Sequence, residues 1–296
     1  MRITVFTPTY NRAYIIKNLF DSLIRQSFTD FEWIVIDDGS TDETETLCAE
    51  FMRSATPFPI IYKKVPNGGK HRAINVGVQL ARGELFFIVD SDDYLTDDAL
   101  EGVDIIEKTI PLEERRRFAG VCGMKGYSLD QPIGTTFSGT TLDISALERK
   151  KNNISGDKSE VFYTEILKKY PFPEFCGENF LTECVVWDKI AADGYLLRFY
   201  NKISMVCNYL PDGLTARYSQ LMLKNPQGYG LYLYQSVQYK KLQGLEKWEA
   251  IKKYYNALRN KETLFQIAKY LHMNPVRLWL RLFGMRLYKK IYDQWG

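Results

Sequence analysis

Apolar positions follow two alternating rhythms over residues 1–90. Short, nearly unbroken runs at Ile3–Thr7, Glu32–Asp37, Ile60–Lys64 and Leu85–Asp90 are filled by β-branched and aromatic side chains. Runs of that length and composition predict buried strands. Between them the spacing becomes helical. Ala13–Gln26 sets Ile15, Ile16, Leu19, Phe20, Leu23 and Ile24 on one face, Thr41–Ser54 begins with Ser40 or Thr41 near its cap, and Arg72–Ala81 is closed by Gly83. This βαβαβαβ order predicts an α/β fold, a mostly parallel sheet flanked by helices on both faces. Right-handed crossovers then place the strand C-termini along one edge, where open α/β sheets bind their ligands.

Beyond residue 118 the rhythm loosens. Val121–Tyr127 and Lys202–Tyr209 read as strands, and Thr182–Asp193 reads as a helix ending at Gly194. Residues 130–160, rich in Gly, Ser, Thr and Lys, read as loop and short helix. Past Leu214 the chain turns helical and rich in Tyr, Lys and Leu. The patterns divide the chain into an α/β domain over 1–214 and a helical C-terminal extension over 215–296.

Composition narrows the class. The 296 residues are 45% apolar and 14% aromatic, enough for a core and against global disorder. A net charge of +3 is too small for the electrostatic footprint of nucleic-acid binding, so no nucleic-acid partner is expected. The excess is local: residues 270–296 hold Arg277, Arg281, Arg286, Lys289 and Lys290 against Asp293 alone. Cys48, Cys122, Cys176, Cys184 and Cys207 form no CxxC, which argues against zinc and disulfide frameworks and fits a reducing cytoplasm. The first strand starts at once, without the basic-then-apolar layout of a signal peptide. No apolar stretch reaches the ~20 residues that span a bilayer. The expected location is cytoplasmic.

Candidate chemistry gathers where the strands end. Asp90-Ser91-Asp92-Asp93 sets three carboxylates within four residues after the run Leu85–Val89. Like charges so close raise one another's pKa unless a cation neutralises them. Hard oxygen ligands favour Mg2+ or Mn2+, shared with substrate phosphates. An acidic loop that caps the next helix through Asp93 or Thr96 is the plainer reading. Thr7-Pro8-Thr9-Tyr10-Asn11-Arg12, after the first strand, offers hydroxyls, amides near a helix start and one guanidinium, which suits a nucleotide and its phosphates. A turn capped by Asn11 would use the same residues. Asp37-Asp38-Gly39-Ser40-Thr41-Asp42, after the second strand, can accept from a base N–H or from ribose hydroxyls. The glycine-rich phosphate turn of a Rossmann dehydrogenase is missing after strand one. In Asn67-Gly68-Gly69-Lys70-His71-Arg72, paired glycines allow close backbone approach, and Lys70 or Arg72 can reach phosphate. The spacing is not that of a P-loop, and a solvated basic helix start is the alternative.

These four segments, in this order and with Ala73, Asn75 and Gly77 following the third, resemble the inverting family 2 glycosyltransferases with the GT-A fold. The resemblance covers roughly residues 1–125. It implies a nucleotide site drawn from Thr7, Pro8, Thr9, Tyr10, Arg12, Asp37, Asp38, Gly39, Asn67, Gly69, Lys70, Asn75, Asp90 and Ser91. Thr7, Pro8 and Tyr10 would line the nucleoside pocket, Asp38 would meet the uracil with Asp37 nearby, and Lys70 would stand near the nucleotide. Asp90 would touch the ribose and stand with Asp92 at a Mn2+ or Mg2+ ion bridging the diphosphate. A UDP-sugar is the favoured donor, with thymidine and guanosine diphosphate sugars open.

Inverting transfer needs a carboxylate to take the proton of the acceptor hydroxyl. The family carries it before a helix ending in a Gly-aromatic pair, here Gly194-Tyr195. Counting back aligns Glu183 with the last acidic residue of a Thr-Glu-Asp element, whereas a longer form of the element aligns Glu178. The chain has Thr-Glu-Cys and Glu-Asn and departs from both patterns. Glu183 is the favoured base, Glu178 the second choice and Asp193 a weaker one. An acid at a helix N-terminus also stabilises that helix without any catalytic part.

Leu278–Lys290 mixes aromatic, aliphatic and cationic residues. Such a helix can lie on an anionic membrane through residues 275–292, or pack its apolar face on the domain with its charges wet. The membrane reading implies an enzyme peripheral on the inner face of the plasma membrane, extending a glycan or a polyprenyl-diphosphate-linked glycan in surface polysaccharide synthesis. Two rivals remain. A sugar nucleotidyltransferase would normally carry a glycine-rich loop with a basic residue right after strand one. A non-catalytic nucleotide-sugar or glycan-binding module would keep the strand-end acids without depending on Glu183 or Glu178.

Overall fold

A computed structural model describes residues 1–284. Its contacts divide into two compact units, one of Met1–Glu174 with Val186–Ala216, the other of Phe175–Val185 with the chain from Arg217 onward. The later boundary between the units falls between Ala216 and Arg217. The assignment of Phe175–Val185 to the second unit has no composition shift to mark it.

The first unit is a nine-stranded sheet with helices. In chain order it holds β1 (Ile3–Thr9), α1 (Ile16–Ile24), β2 (Phe31–Asp37), α2 (Thr44–Arg53), β3 (Ile60–Lys64), α3 (Lys70–Leu80), β4 (Leu85–Ile88), β5 (Tyr94–Leu95), α4 (Ala99–Lys108), β6 (Phe118–Gly126), β7 (Thr141–Ile144), β8 (Lys158–Tyr163), α5 (Thr164–Lys169), α6 (Cys184–Ala192) and β9 (Leu196–Val206). The division between the units falls inside α6. The spatial order is β3-β2-β1-β4-β8-β6-β9-β5, with β7 on β9. The first four strands are parallel, with Ile3 opposite both Phe31 and Leu85 and Trp33 opposite Ile60. All seven residues of β1 and all seven of β2 are buried, as a sheet covered on both faces requires. Phe20 stacks on Phe51 at 4.1 Å and lies 6.0 Å from Trp33, joining α1 and α2 over one face. A Cβ at Gly77 would fall 2.2 Å from the Phe6 ring, so glycine is what lets α3 approach β1.

The sheet's second half departs from the sequence pattern. β8 runs antiparallel between β4 and β6, with Phe87 opposite Val161 and Cys122 opposite Glu160. It begins Lys-Ser-Glu, within a stretch that reads as loop and short helix. Those polar groups are satisfied inside: Lys158 Nζ donates to Ile133 O at 3.1 Å, and Ser204 Oγ donates to Ser159 Oγ at 2.8 Å. β9 starts at Leu196, six residues before the expected strand. α4 breaks the apolar pattern with the buried acids Asp104 and Glu107.

The second unit holds α7 (Tyr218–Lys224), α8 (Pro226–Gln238), α9 (Gly244–Leu258), α10 (Leu264–Tyr270) and α11 (Pro275–Trp279). Leu233, Ile251, Tyr254, Leu258, Ile267 and Leu278 form its core. Thr263 and Gln266 form a capping box on α10, and Asn274 caps α11 ahead of Pro275. Within 275–284, Leu278 is buried while Val276, Trp279 and Leu280 are exposed, and Arg281 lies over the Trp248 ring at 5.0 Å. Arg286, Lys289 and Lys290 of the expected basic helix lie outside the described residues. Among the described residues no helix is long and apolar enough to cross a membrane.

Candidate active site

Each of the first four strands releases one of the four motifs at its C-terminal end, and hydrogen bonds stitch the motifs in series. Past β1 the backbone turns sharply at Asn11, φ +52°. Asn11 Oδ1 accepts from Thr41 N at 2.8 Å, its own N donates to Ser40 Oγ at 2.8 Å, and Arg12 N donates to Thr44 Oγ1 at 3.2 Å. The first motif is thereby fixed to the second.

Asp37 is fully buried and spends both oxygens locally, Oδ1 on Ser40 N at 2.7 Å and Oδ2 on Tyr62 OH at 2.6 Å. Burial, reinforced by that carboxylate, pushes the Tyr62 phenol up. Asp38 joins the second motif to the third: Oδ1 accepts from Gly68 N at 2.7 Å, and Oδ2 accepts from Gly69 N at 2.8 Å and Asn67 Nδ2 at 3.2 Å. Gly39, at φ +79°, is required between them, because a Cβ there would lie 2.9 Å from Asn67 N.

Lys70 joins the third motif to the fourth, its Nζ 2.6 Å from Asp90 Oδ1. Burial opposes the Asp90 charge, but Lys70 and then Lys125 outweigh it and lower its pKa. Asp92 has the opposite balance. Burial first, then the Asp90 charge, raises its pKa, and it makes no ion pair among the described residues. Asp93 is pushed up to about 6, by burial first, with Lys125 opposing the shift at 3.7 Å.

Among the described residues no three His, Cys, Asp or Glu side chains converge into a metal cage. A cation held by one or two carboxylates and completed by substrate phosphates needs none. The charge at Asp92, only partly offset by Arg12 and Lys70, fits such an ion, and Asp90 stands beside it.

The strand-end edge thus carries Thr9, Arg12, Asp37, Asp38, Gly39, Asn67, Gly69, Lys70, Asp90, Ser91 and Asp92, with Tyr10 half-exposed. The Thr9 hydroxyl is buried and has no hydrogen-bond partner among the described residues. Three residues of the expected set lie elsewhere. Thr7 points into the core, its Oγ1 accepting from Trp33 Nε1 at 2.9 Å, and Pro8 beside it is also buried. Asn75 holds the 172–174 segment, donating to Phe172 O at 2.9 Å and accepting from Phe172 N at 2.8 Å.

Both candidate bases belong to the second unit. Glu178 is buried and caps α8, its Oε1 accepting from Gln227 N at 2.7 Å and its Oε2 from Gly228 N at 2.9 Å. That is a helix-anchoring arrangement. Glu183 is half-buried and immediately precedes α6. Asp193 is paired with Lys189 and accepts from Tyr170 OH at 2.8 Å. Sequence reasoning missed Lys125, Asp93 as a networked acid, and Asp212, whose Oδ2 lies 2.8 Å from Arg12 Nη1. Lys125 had a usable signal, a cation at the end of an apolar strand. Asp212 had none.

Comparison with known proteins agrees with this geometry. The model for "Glycosyl transferase family 2" matches residues 4–103, the stretch that supplies all four motifs. Glycosyltransferase GlyA of Streptococcus pneumoniae serotype 4 is 29% identical over 220 residues, covering 73% of this chain and 30% of GlyA. The GalNAc(5)-diNAcBac-PP-undecaprenol beta-1,3-glucosyltransferase of Campylobacter jejuni is 28% identical over 194 residues, covering 63% of this chain and 58% of that protein. The chain therefore spans less than two thirds of either relative. The crystal structure of Staphylococcus aureus TarS 1-349 in complex with UDP-GlcNAc superposes with a TM-score of 0.60 at 18% identity, over 97% of this chain and 92% of that one, a likeness of fold. The glycosyltransferase family 2 model thus matches the stretch of the chain that carries the four motifs, and the sheet that presents them shares the GT-A fold of its structural neighbour.

Proposed function

We propose that this chain is an inverting glycosyltransferase that moves a sugar from a nucleoside diphosphate, UDP favoured, to a glycan or lipid-linked glycan in surface polysaccharide synthesis. The observation that carries the reading is the hydrogen-bonded series from Asn11 through Asp38 to the Lys70–Asp90 pair. It holds on one sheet edge a guanidinium, an ammonium and a carboxylate whose charge they only partly offset, groups that can recognise a nucleoside and its diphosphate. The kinship with GlyA and with the Campylobacter glucosyltransferase, whose name specifies a polyprenyl-diphosphate-linked glycan, supports the polysaccharide setting.

In this reading Lys70 and Arg12 meet the negative charge that grows on the departing diphosphate. Asp92, with Asp90 beside it, would hold Mn2+ or Mg2+, which when bound supplies Lewis-acid stabilisation of that leaving group. Glu183 takes the proton of the acceptor hydroxyl as its oxygen attacks the anomeric carbon, while the bond to the diphosphate oxygen breaks on the opposite face. The anomeric centre inverts without a covalent enzyme intermediate. Glu183 is preferred to Glu178 because the Glu178 carboxylate is committed to α8 through both oxygens. A cytoplasmic location with peripheral membrane contact belongs to the same reading.

The test is nucleotide release from UDP-, GDP-, dTDP- and CMP-sugars in the presence of acceptor glycan, with Mn2+ and with EDTA. Metal-dependent release from one donor is expected, falling about 10²- to 10⁴-fold in Glu183→Gln. Glu178→Gln is expected to cost about 1 kcal/mol of stability while leaving turnover per folded molecule intact. Unchanged turnover in both variants removes the base assignment, whereas nucleotide-induced thermal shift without release from any donor favours the non-catalytic binding module. Absence of both release and nucleotide-induced thermal shift removes the nucleotide-sugar reading.

A further inference from the structure

The segment from Cys207 to Ala216 contains no helix or strand, yet it is tied to two of the four motifs. At its start Cys207 Sγ donates to Asp93 Oδ2 at 3.2 Å and Asn208 N donates to Asp93 Oδ1 at 3.3 Å. Asn208 Nδ2 donates to Asp92 O at 3.2 Å. Tyr209 OH donates to Asp157 Oδ2 at 3.1 Å, and its ring packs 5.9 Å from that of Tyr127. Farther on, Asp212 Oδ2 accepts from Arg12 Nη1 at 2.8 Å and from Tyr14 OH at 3.4 Å. The strap therefore runs from the acidic loop to the guanidinium of the first motif.

The two anchorages differ in kind. The first is a buried network around Asp93. The second is a carboxylate that is 55% exposed on a guanidinium that is 15% exposed. An ion pair with one partner in water contributes little to stability. A diphosphate offers the same guanidinium more charge and paired oxygens. Arg12 also lies close enough for its charge to act on Asp92.

We propose that Cys207–Ala216 is a latch in which Asp212 occupies Arg12 in place of a ligand phosphate, so that nucleoside diphosphate and Asp212 compete for one guanidinium. The inference rests on the nucleotide-diphosphate reading of the site and adds a conformational step to it. Binding of the diphosphate releases the Asp212 end while the Asn208 end stays on the acidic loop. Departure of the product lets Asp212 return and assists its release.

The experiment is calorimetric binding of UDP, GDP and their nucleosides, with Mg2+, to the full chain and to Asp212→Asn, Asp212→Ala and Asp212→Glu. Asp212 is exposed, so these variants keep the fold. Asn and Ala are expected to bind the preferred diphosphate about two- to fivefold tighter, the range an exposed ion pair allows. The nucleoside, lacking phosphates, is expected to bind all forms equally, and Asp212→Glu to behave as the parent. In an Arg12→Ala background the Asp212→Ala gain disappears. Diphosphate binding that is unchanged or weaker in Asp212→Asn and Asp212→Ala overturns the latch, as does an equal gain for the nucleoside. Failure of the parent chain to bind either diphosphate overturns the site reading itself, and the latch with it.

Discussion

The two ends of the parallel strands carry the same kinds of side chain and treat them in opposite ways. At the N-terminal end the charges are closed. Glu32 accepts from Thr4 Oγ1 at 2.7 Å, Arg82 N at 2.8 Å and Arg82 Nε at 2.8 Å. Burial opposes its ionisation, yet those bonds lower its pKa. Arg2 is shared by Asp104 at 2.7 Å, Glu84 and Glu107. Glu107 also takes Arg115 at 2.9 Å and Tyr163 OH at 2.6 Å. At the C-terminal end burial leaves Asp38, Asp92 and Asp93 with raised pKa values, while Asp90 is held down by Lys70 and Lys125 and Asp42 by hydrogen bonds from Thr44 and Ala13. Charge is neutralised internally where rigidity is the only task. At the proposed site it is left in excess, the arrangement expected where a ligand completes the charge.

The largest test of that contrast is Asp92→Asn. If its charge awaits a cation and diphosphate, the substitution lowers transfer about 10²- to 10³-fold. Stability stays level or rises, because burial and Asp90 both penalise the ionised side chain. Parallel measurement of nucleotide release and urea unfolding separates the two. A drop in stability with activity retained would place Asp92 among the structural charges and erase the contrast.

Arg2→Ala sharpens it from the other end. It leaves Asp104 without its guanidinium and removes one of the two cations on the fully buried Glu107. Breaking such a group costs about 3 to 5 kcal/mol. Nucleotide affinity of the molecules that remain folded is expected to stay within twofold or so of the parent, since among the described residues the side-chain partners of Arg2 are Glu84, Asp104 and Glu107, outside the strand-end motifs. A selective loss of affinity without loss of stability would mean that the two sheet ends are coupled.

How far this contrast could be read from sequence depends on the range of the interactions that make it. The parallel strands are local apolar runs, and the motifs are the residues directly after them, so both were legible. Glu32, Arg82 and Arg2 look like ordinary surface charges in a linear pattern, and only the pairing of β1 with β2 and β4 brings Thr4, Glu32 and Gly83 together. β8 was hidden because Lys158, Ser159 and Glu160 are polar yet inside. α4 was hidden because Asp104 and Glu107 answer Arg2 rather than water. Asp212 reaches Arg12 across two hundred residues, with no local signal in its loop. That Glu178 accepts from the amides of Gln227 and Gly228 was hidden as well, since no count back from Gly194 contains them.

The smallest predicted effect concerns pH, where the two ends should differ in sign. Glu32 has a folded pKa below its unfolded value near 4.5. Its contribution is therefore present above that value and is lost as pH falls through the folded pKa. Asp92, raised above 3.8, contributes stability that is present below that value and is lost as pH rises through its folded pKa. Glu32→Gln should lower stability at pH 7 by about 1.5 to 3 kcal/mol, the range for hydrogen bonds to a charged group, and converge with the parent in acid. Asp92→Asn should match the parent in acid and exceed it near neutrality. Urea unfolding from pH 3 to 7 reads both. Parallel curves for parent and Glu32→Gln would show that Glu32 is bound no better as a carboxylate than as an amide, and the N-terminal end would then owe its order to packing rather than to closed charge.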